Sequence, residues 1–414
     1  MSLRSKAAAG CLIAALSVGL AACGSSSSSS SSSGGGTVDV YSSLPLQGAS
    51  KAQTGALQQG IALAFDQAGN KAGDTKIKYT SLDDSTAQAG NWDPAQVAAN
   101  ARKAAQDKAA VAYIGEFNSG ASAISIPILN QAGLGMISPA NTYPGLTQSA
   151  AGVTEPGEPE KYYPTGKRNY ARIVPNDLIQ AAALITQMKA DGCTSIAVAN
   201  DKEVYGAGLA RVLVKDAKTA GLKLSNTGIQ KDAANYRSYA SGLKAAGVDC
   251  FLFSGVTANG AVQITKDVAA ALPQAKLYGP DGICESGFTN PKSKGIPAAL
   301  APRFKCTVAT LALKATPGGA QFLKDFQAKY NVSNPDPYAI YGYAAGQLVL
   351  DTIKAGGTTK SDFITKLFAT KDVQSVLGTY SIDANGDTTL TDYGLFIVGP
   401  DGNPQFDKAI KATS

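Results

Sequence analysis

The sequence predicts an α/β protein built as two doubly wound lobes. From residue 37 onward short apolar runs alternate with amphipathic stretches, the pattern of parallel strands covered by helices on both faces. The alternation stops in the Pro/Gly/Glu-rich segment 155–166 and then restarts, so two such series are expected. The C-terminal part instead begins with helices that have no sheet of their own, so the chain is expected to return to an earlier lobe. At 414 residues it is long enough for two domains of roughly 100–200 residues each.

Val38-Asp39-Val40-Tyr41 reads as the first strand, and Leu57, Ile61, Ala64, Phe65 and Ala68 share one face of a helix over 54–68. Ile77 and Tyr79 alternate with lysines as a strand. Asp93 then caps a helix that has Pro94 at its first position. A buried strand is predicted at Val111-Ala112-Tyr113-Ile114-Gly115, a helix over 121–131 and a strand at Met136-Ile137-Ser138. In the second series, strands at 195–199, 222–224, 250–254 and 276–279 alternate with helices at 178–190, 206–220, 236–246 and 261–271. Helices at 319–330, 338–353 and 360–369 come next. Strands at 379–382 and 393–398 then flank a turn at Asn385-Gly386-Asp387.

The first residues read as an export signal: Arg4 and Lys6 precede an apolar stretch over 7–22 that is shorter than the roughly 20 residues a spanning helix needs. Leu20-Ala21-Ala22-Cys23-Gly24 looks like the lipobox of bacterial lipoproteins, which implies a signal peptide of residues 1–22, cleavage before Cys23 and a lipid anchor on its sulfur. Nine serines and three glycines complete a flexible tether over 23–36. Two of the net +6 charges sit in the leader, and the remaining basic residues form no stripe, which argues against nucleic acid as a partner. Beyond Cys11 in the leader and Cys23, the chain has Cys193, Cys250, Cys284 and Cys306, an even number that suggests two disulfides in an oxidising compartment. Four cysteines allow three pairings, and spacing alone selects none.

The chain has no histidine, which removes Ser-His-Asp and Cys-His catalysis and histidine-ligated metal. No Walker-type phosphate loop occurs, and Gly255-Val256-Thr257-Ala258-Asn259-Gly260 lacks dinucleotide spacing. Asp83-Asp84 suits a solvated turn better than a glycosidase pair. Asp383-Ala384-Asn385-Gly386-Asp387 lacks the later Glu of a calcium loop and reads as a hairpin turn. No catalytic residue, cofactor or metal site is expected.

Three loops that come directly after strands carry groups suited to a small zwitterion. In Gly115-Glu116-Phe117-Asn118-Ser119-Gly120, free N–H groups and the Ser119 hydroxyl at a helix start suit a carboxylate, although Ser119 also suits a helix N-cap. In Ile137-Ser138-Pro139-Ala140-Asn141-Thr142, Thr142 offers N–H and hydroxyl and the Ala140 carbonyl can accept from an ammonium, although the flanking prolines also suit an ordinary turn. In Tyr278-Gly279-Pro280-Asp281-Gly282, Asp281 would pair an ammonium or simply form a turn.

With these loops in this order, the chain resembles the substrate-binding proteins of branched-chain amino-acid ABC transporters, the leucine/isoleucine/valine type, from Val38 to about Asn403. The most specific stretches are Ile137-Ser138-Pro139, Asn200-Asp201-Lys202 through Tyr205-Gly206-Ala207-Gly208-Leu209-Ala210, and Gly279-Pro280-Asp281-Gly282. The resemblance implies the type I periplasmic-binding-protein fold: two Rossmann-like lobes joined by a three-crossover hinge and closing on ligand as a clamp. Crossovers are then expected near 171–174, 307–311 and 378–381, with lobe 1 formed by 37–172 plus 310–378 and lobe 2 by 173–309 plus 379–414. In this topology the strands after Cys193 and Cys250 are neighbours, which implies Cys193 paired with Cys250 and Cys284 with Cys306. Ser119 and Thr142 would hold the ligand carboxylate. The Ala140 carbonyl, the Thr142 hydroxyl and Asp281 would hold its ammonium, and Tyr205 would close from the second lobe or serve as a core aromatic.

Departures from the family pattern bear on specificity. Asp281 stands where the family often has Glu, an aromatic expected near Val256 is missing, and Gln53 stands where an aromatic pocket residue is expected. A pocket poorer in aromatics and richer in amides then favours a polar amino acid, an amide or another small solute over leucine. The resemblance implies an exported, lipid-anchored solute-binding protein that delivers its ligand to an ABC permease in the cytoplasmic membrane. The alternatives are a ligand-sensing lipoprotein of the same fold and, further off, an envelope hydrolase.

Overall fold

The computed structural model describes residues 35–411. The leader, the lipobox with Cys23 and the tether up to residue 34 lie outside the described residues.

The first half of the chain builds a six-stranded sheet. In order come β1 (Thr37–Leu44), α1 (Lys51–Gln67), β2 (Lys71–Ala72), β3 (Thr75–Asp83), α2 (Pro94–Gln106), β4 (Ala110–Ile114), α3 (Ser119–Gln131), β5 (Gly135–Ser138) and β6 (Tyr170–Arg172). The strand order is β2-β3-β1-β4-β5-β6, parallel except for the short antiparallel β2. Every residue of β4 is buried, as befits a central parallel strand covered on both faces. The Asp93 side chain accepts from the N–H groups of Ala95 and Gln96 and so caps α2 ahead of Pro94.

The chain then crosses to a second sheet. It forms α4 (Asp177–Ala190), β7 (Ser195–Asn200), α5 (Val204–Thr219), β8 (Lys223–Gly228), α6 (Arg237–Ala245), β9 (Cys250–Ser254), α7 (Ala261–Ala271), β10 (Lys276–Gly279), the single turn α8 (Ser286–Thr289) and β11 (Phe304–Val308). Next come α9 (Gly319–Tyr330), α10 (Ala339–Lys354) and α11 (Lys360–Phe368), of which α10 and α11 pack on elements of the first sheet. A small hairpin, β12 (Val373–Ser375) with β13 (Gly378–Tyr380), precedes β14 (Tyr393–Val398) and β15 (Pro404–Ile410). The second sheet runs β15-β14-β11-β10-β9-β7-β8, with β14 and β15 antiparallel at one edge. The chain therefore passes between the sheets three times, and the molecule is the two-lobed α/β fold that the alternation predicts.

The return of α10 to the first lobe depends on glycine. α10 packs along α1, and a Cβ on Gly342 would lie 1.9 Å from the Leu57 carbonyl oxygen, one on Gly60 2.0 Å from that of Ala339. Only residues without a side chain let the two backbones come this close.

One expectation is corrected. The strands on either side of Asn385-Gly386-Asp387 do not pair with each other: β13 pairs with β12, while β14 pairs with β11 and β15. The turn itself remains, closed by a bridge between Ile382 and Thr388. The connectors expected near 171–174, 307–311 and 378–381 fall where β6, β11 and β13 end, so each passage begins directly from a strand and without a separate linker.

Cys193 lies at bonding distance from Cys250, and Cys284 from Cys306, with Cα atoms 5.8 and 5.5 Å apart. These are the pairs the resemblance implies, and β7 and β9 are indeed adjacent.

Candidate ligand site

Two loops of the first lobe are braced against each other at the C-terminal ends of β4 and β5, where open α/β sheets bind ligands. Ser138 is buried, and its hydroxyl donates to the Glu116 carbonyl at 3.0 Å while accepting from the N–H groups of Ala140 and Asn141. The Asn141 amide donates to the Phe117 carbonyl at 2.9 Å. Between these anchors the chain presents Phe117, Asn118 and Ser119 from one loop and Ala140 and Thr142 from the other. Ser119 is the first residue of α3 and not its cap, which is Asn118. Its hydroxyl therefore stays at the helix N-terminus, accepting only a long bond from the Tyr143 N–H at 3.5 Å.

The second lobe contributes Tyr205 from the first turn of α5 and Asp281 from the loop after β10. The Tyr205 hydroxyl donates to one carboxylate oxygen of Asp281 and the Tyr338 hydroxyl, arriving from the first lobe, to the other. Asp201 holds the neighbouring loop by accepting from the Val256 N–H at 3.3 Å and the Asn259 amide at 2.8 Å. Burial pushes the Asp201 carboxyl up to about 6. Gly282 must be glycine, since a Cβ there would lie 2.5 Å from the Gly255 carbonyl oxygen and 3.0 Å from the Tyr205 ring.

These residues line one small cavity: Phe117, Asn118, Ser119, Ala140, Thr142, Tyr205, Val256, Asp281, Gly282 and Tyr338. About 20 Å³ of it is open to the centre of a water molecule, room for about one water, so an amino-acid-sized ligand enters only when the lobes part. A larger groove, about 660 Å³ by the same measure, runs along residues 48–59 and 332–337. Polar side chains such as Lys51, Gln59, Asn334 and Asp336 line it too, but none of its lining comes from the loops directly after β4 and β5, where this fold places ligand.

Five of the six residues singled out in the sequence thus meet on one wall or the other. Gln53 does not: its amide donates to the Asp281 carbonyl at 3.0 Å, bracing the loop from outside the cavity. The expectation of a pocket poor in aromatics also fails, since Phe117, Tyr205 and Tyr338 all line it and Asn118 is the amide on its wall. The ring of Tyr338 meets that of Phe117 edge-on at 5.8 Å.

Two buried carboxyls lie close to the cavity, Asp281 on its second wall and Asp177 behind its first. Burial pushes the Asp281 carboxyl up, and the Tyr205 and Tyr338 hydroxyls pull it partway back. Asp177, the first residue of α4, lies behind Thr142, whose carbonyl accepts from the Asp177 N–H at 2.8 Å. Neither oxygen of its fully buried carboxyl has a hydrogen-bond partner, nor does the buried Thr142 hydroxyl. Burial, and after it the charge of Asp281, holds the Asp177 carboxyl well above the usual range. Sequence reasoning missed Asp177, Tyr338 and Phe117. Asn176, which caps α4 just before Asp177, is an ordinary helix-start residue, and Tyr338 stood only at the beginning of the helix expected over 338–353.

The chain matches the periplasmic binding protein family over residues 42–403 and belongs to it. This is a family of extracytoplasmic solute-binding proteins rather than enzymes. A Brucella abortus relative named Leu/Ile/Val-binding protein homolog 2 is 26% identical over 360 residues, covering 85% of this chain and 88% of its own. A leucine-binding protein of Thermotoga maritima superposes with a TM-score of 0.77 at 20% identity, covering 90% of this chain and 98% of its own. A solute-binding protein of an R. palustris ABC transporter, solved with benzoate, superposes with a TM-score of 0.73 at 20% identity, covering 91% of this chain and 98% of its own.

Proposed function

We propose that this protein captures an α-amino acid between its lobes and delivers it to an ABC permease in the cytoplasmic membrane. The observation that carries the reading is the buried Asp281 carboxylate facing, across the cavity, a wall of neutral donors at a helix start. Buried charge is costly unless paired, and an ammonium supplies the missing partner for Asp281. Ser119, Thr142 and the N–H groups beside them receive the ligand carboxylate, while the Ala140 carbonyl and Thr142 hydroxyl share the ammonium. Tyr205 closes over it from the second lobe.

The relatives support an amino acid, and the benzoate-bound neighbour together with the three rings on the wall supports an aromatic acid as the competing reading. Benzoate has no cation to pair the buried Asp281 carboxyl, which favours the amino acid. We further propose lobe boundaries after residues 172, 309 and 378, cleavage before Cys23 and a lipid on its sulfur, with the serine-rich tether holding the lobes off the membrane, and oxidation of both cysteine pairs.

Mass spectrometry of small molecules released from denatured protein, followed by calorimetry with L-amino acids and benzoates, tests the assignment. An amino acid released and bound again is expected. Binding of benzoates and of no amino acid would overturn it.

A further inference from the structure

The turn at Asp383-Ala384-Asn385-Gly386-Asp387 and the fully buried Arg172 take no part in the ligand contacts above, yet they meet directly behind them. Arg172 ends β6, at the first passage between lobes, and the turn lies on the third. The Arg172 Nε donates to Asp387 Oδ1 at 2.6 Å. Its Nη1 donates to the carbonyls of Asn141 at 3.0 Å and Tyr143 at 2.9 Å, the two residues that flank Thr142. Its Nη2 donates to the Thr147 hydroxyl, and that hydroxyl lies 3.1 and 3.0 Å from the two Asp387 oxygens. The Gln148 amide donates to Asp387 Oδ2 at 3.0 Å, and the Arg172 N–H donates to the Gly386 carbonyl at 2.8 Å. Gly386 has φ +95°, and a Cβ on it would lie 2.2 Å from the Tyr170 carbonyl oxygen, so the turn docks tightly against β6.

The structure assigns Arg172 and Asp387 as positioning residues: as a buried ion pair joining two interlobe passages, they fix the Asn141–Thr142 and Tyr143–Pro144 peptides that bracket Thr142, and so hold Thr142 in its ligand-receiving orientation. A guanidinium presents its donors in a rigid planar fork, so the two carbonyls it holds are set in direction as well as distance. Asp387 orients that fork through Nε. Removing the carboxylate leaves a buried guanidinium free to turn, and the peptides around Thr142 lose their anchor. The inference goes beyond the ligand class but rests on the reading of Thr142 as a ligand contact.

Two measurements on Asp387→Asn test it. The first needs no ligand: hydrogen exchange should rise in peptides spanning 139–148 while peptides over 276–285, at the opposite wall, stay unchanged. The second is calorimetry with L-leucine as probe on the wild type, Asp387→Asn, Thr142→Val and the double variant. Asp387→Asn is expected to weaken Kd about tenfold in the wild type and less than about threefold in the Thr142→Val background, the non-additivity of residues acting as a unit. A merely structural role would lower Tm and leave the two losses multiplicative, which overturns the assignment. If the wild type takes no L-leucine, the amino-acid reading suffers alone and the exchange experiment decides, with unchanged exchange over 139–148 overturning the positioning role. If Asp387→Asn does not fold, Asp387→Glu, which keeps the charge but moves it by a methylene, is read in the same two ways.

Discussion

The wall of the cavity beyond β4 and β5 and the wall beyond β10 are built by different means. The first presents only neutral groups and is cross-braced: Ser138, Asn141 and Arg172 satisfy the carbonyls of its loops from behind, leaving hydroxyls and N–H groups toward the cavity. The second is charged, with Asp281 held by phenol hydroxyls, one from each lobe, and by Gln53 on its backbone. Neutral donors cost little to leave facing a small cavity, whereas a buried carboxylate costs a great deal until a cation meets it. The energy of recognition should therefore lie mostly on the second wall, and geometric selection on the first.

Mutation tests that asymmetry from the largest effect down. Asp281→Ala should cost about 2–5 kcal/mol in amino-acid affinity, since it removes one partner of a buried charge pair. Tyr205→Phe should cost about 1.5–3 kcal/mol, the range for a hydrogen bond to a charged group. Ser119→Ala should cost about 0.5–1.5 kcal/mol, that of a neutral bond. Calorimetry on the three variants with one amino acid checks the order, and equal losses for Ser119→Ala and Asp281→Ala would erase the distinction between the walls.

Beside the larger groove, which Asp336 lines, each lobe brings a carboxyl and the contrast disappears. Glu285, the cap of α8, is fully buried and accepts from the Gly287 N–H at 3.2 Å. Asp336, from the segment before α10, accepts from the Ser286 N–H and hydroxyl, both at 3.1 Å. Burial and then the Asp336 charge push the Glu285 carboxyl up to about 8 from its ordinary 4.5. The native state thus holds a proton that the unfolded chain releases, so this group's contribution is complete below 4.5 and is lost as pH rises through about 8. Tm should fall by a few degrees across that window and fall less in Glu285→Gln. Thermal melts at fixed salt check this, and identical pH profiles for the two proteins would rule out Glu285 as the titrating group.

Most strands and helices were legible because their periodicity is local. β15 was missed because it starts with proline and buries only its first and last residues, so it has no alternating face. β6 is three residues long and looked like part of a connector. The site loops could be read from the small or polar residues that sit between each strand and the next helix start. The second carboxyl could not. Asp177 beside Asn176 is an ordinary helix beginning, and only the folded chain brings it behind Thr142. Gln53 shows the converse: its place in the sequence suggested a pocket lining, while the geometry makes it a brace for the Asp281 backbone.

The glycine crossing of α1 and α10 sets an order of assembly. The stretch that completes the first lobe's core leaves the ribosome about 280 residues after α1, with the whole β7–β10 series in between. The β7–β11 part of the second sheet is contiguous and can condense before β14 and β15 add to its edge, while the N-terminal half waits, incompletely packed, for its missing helix. For a member of an extracytoplasmic family, such a delay leaves the leading half without its full core until synthesis is nearly done.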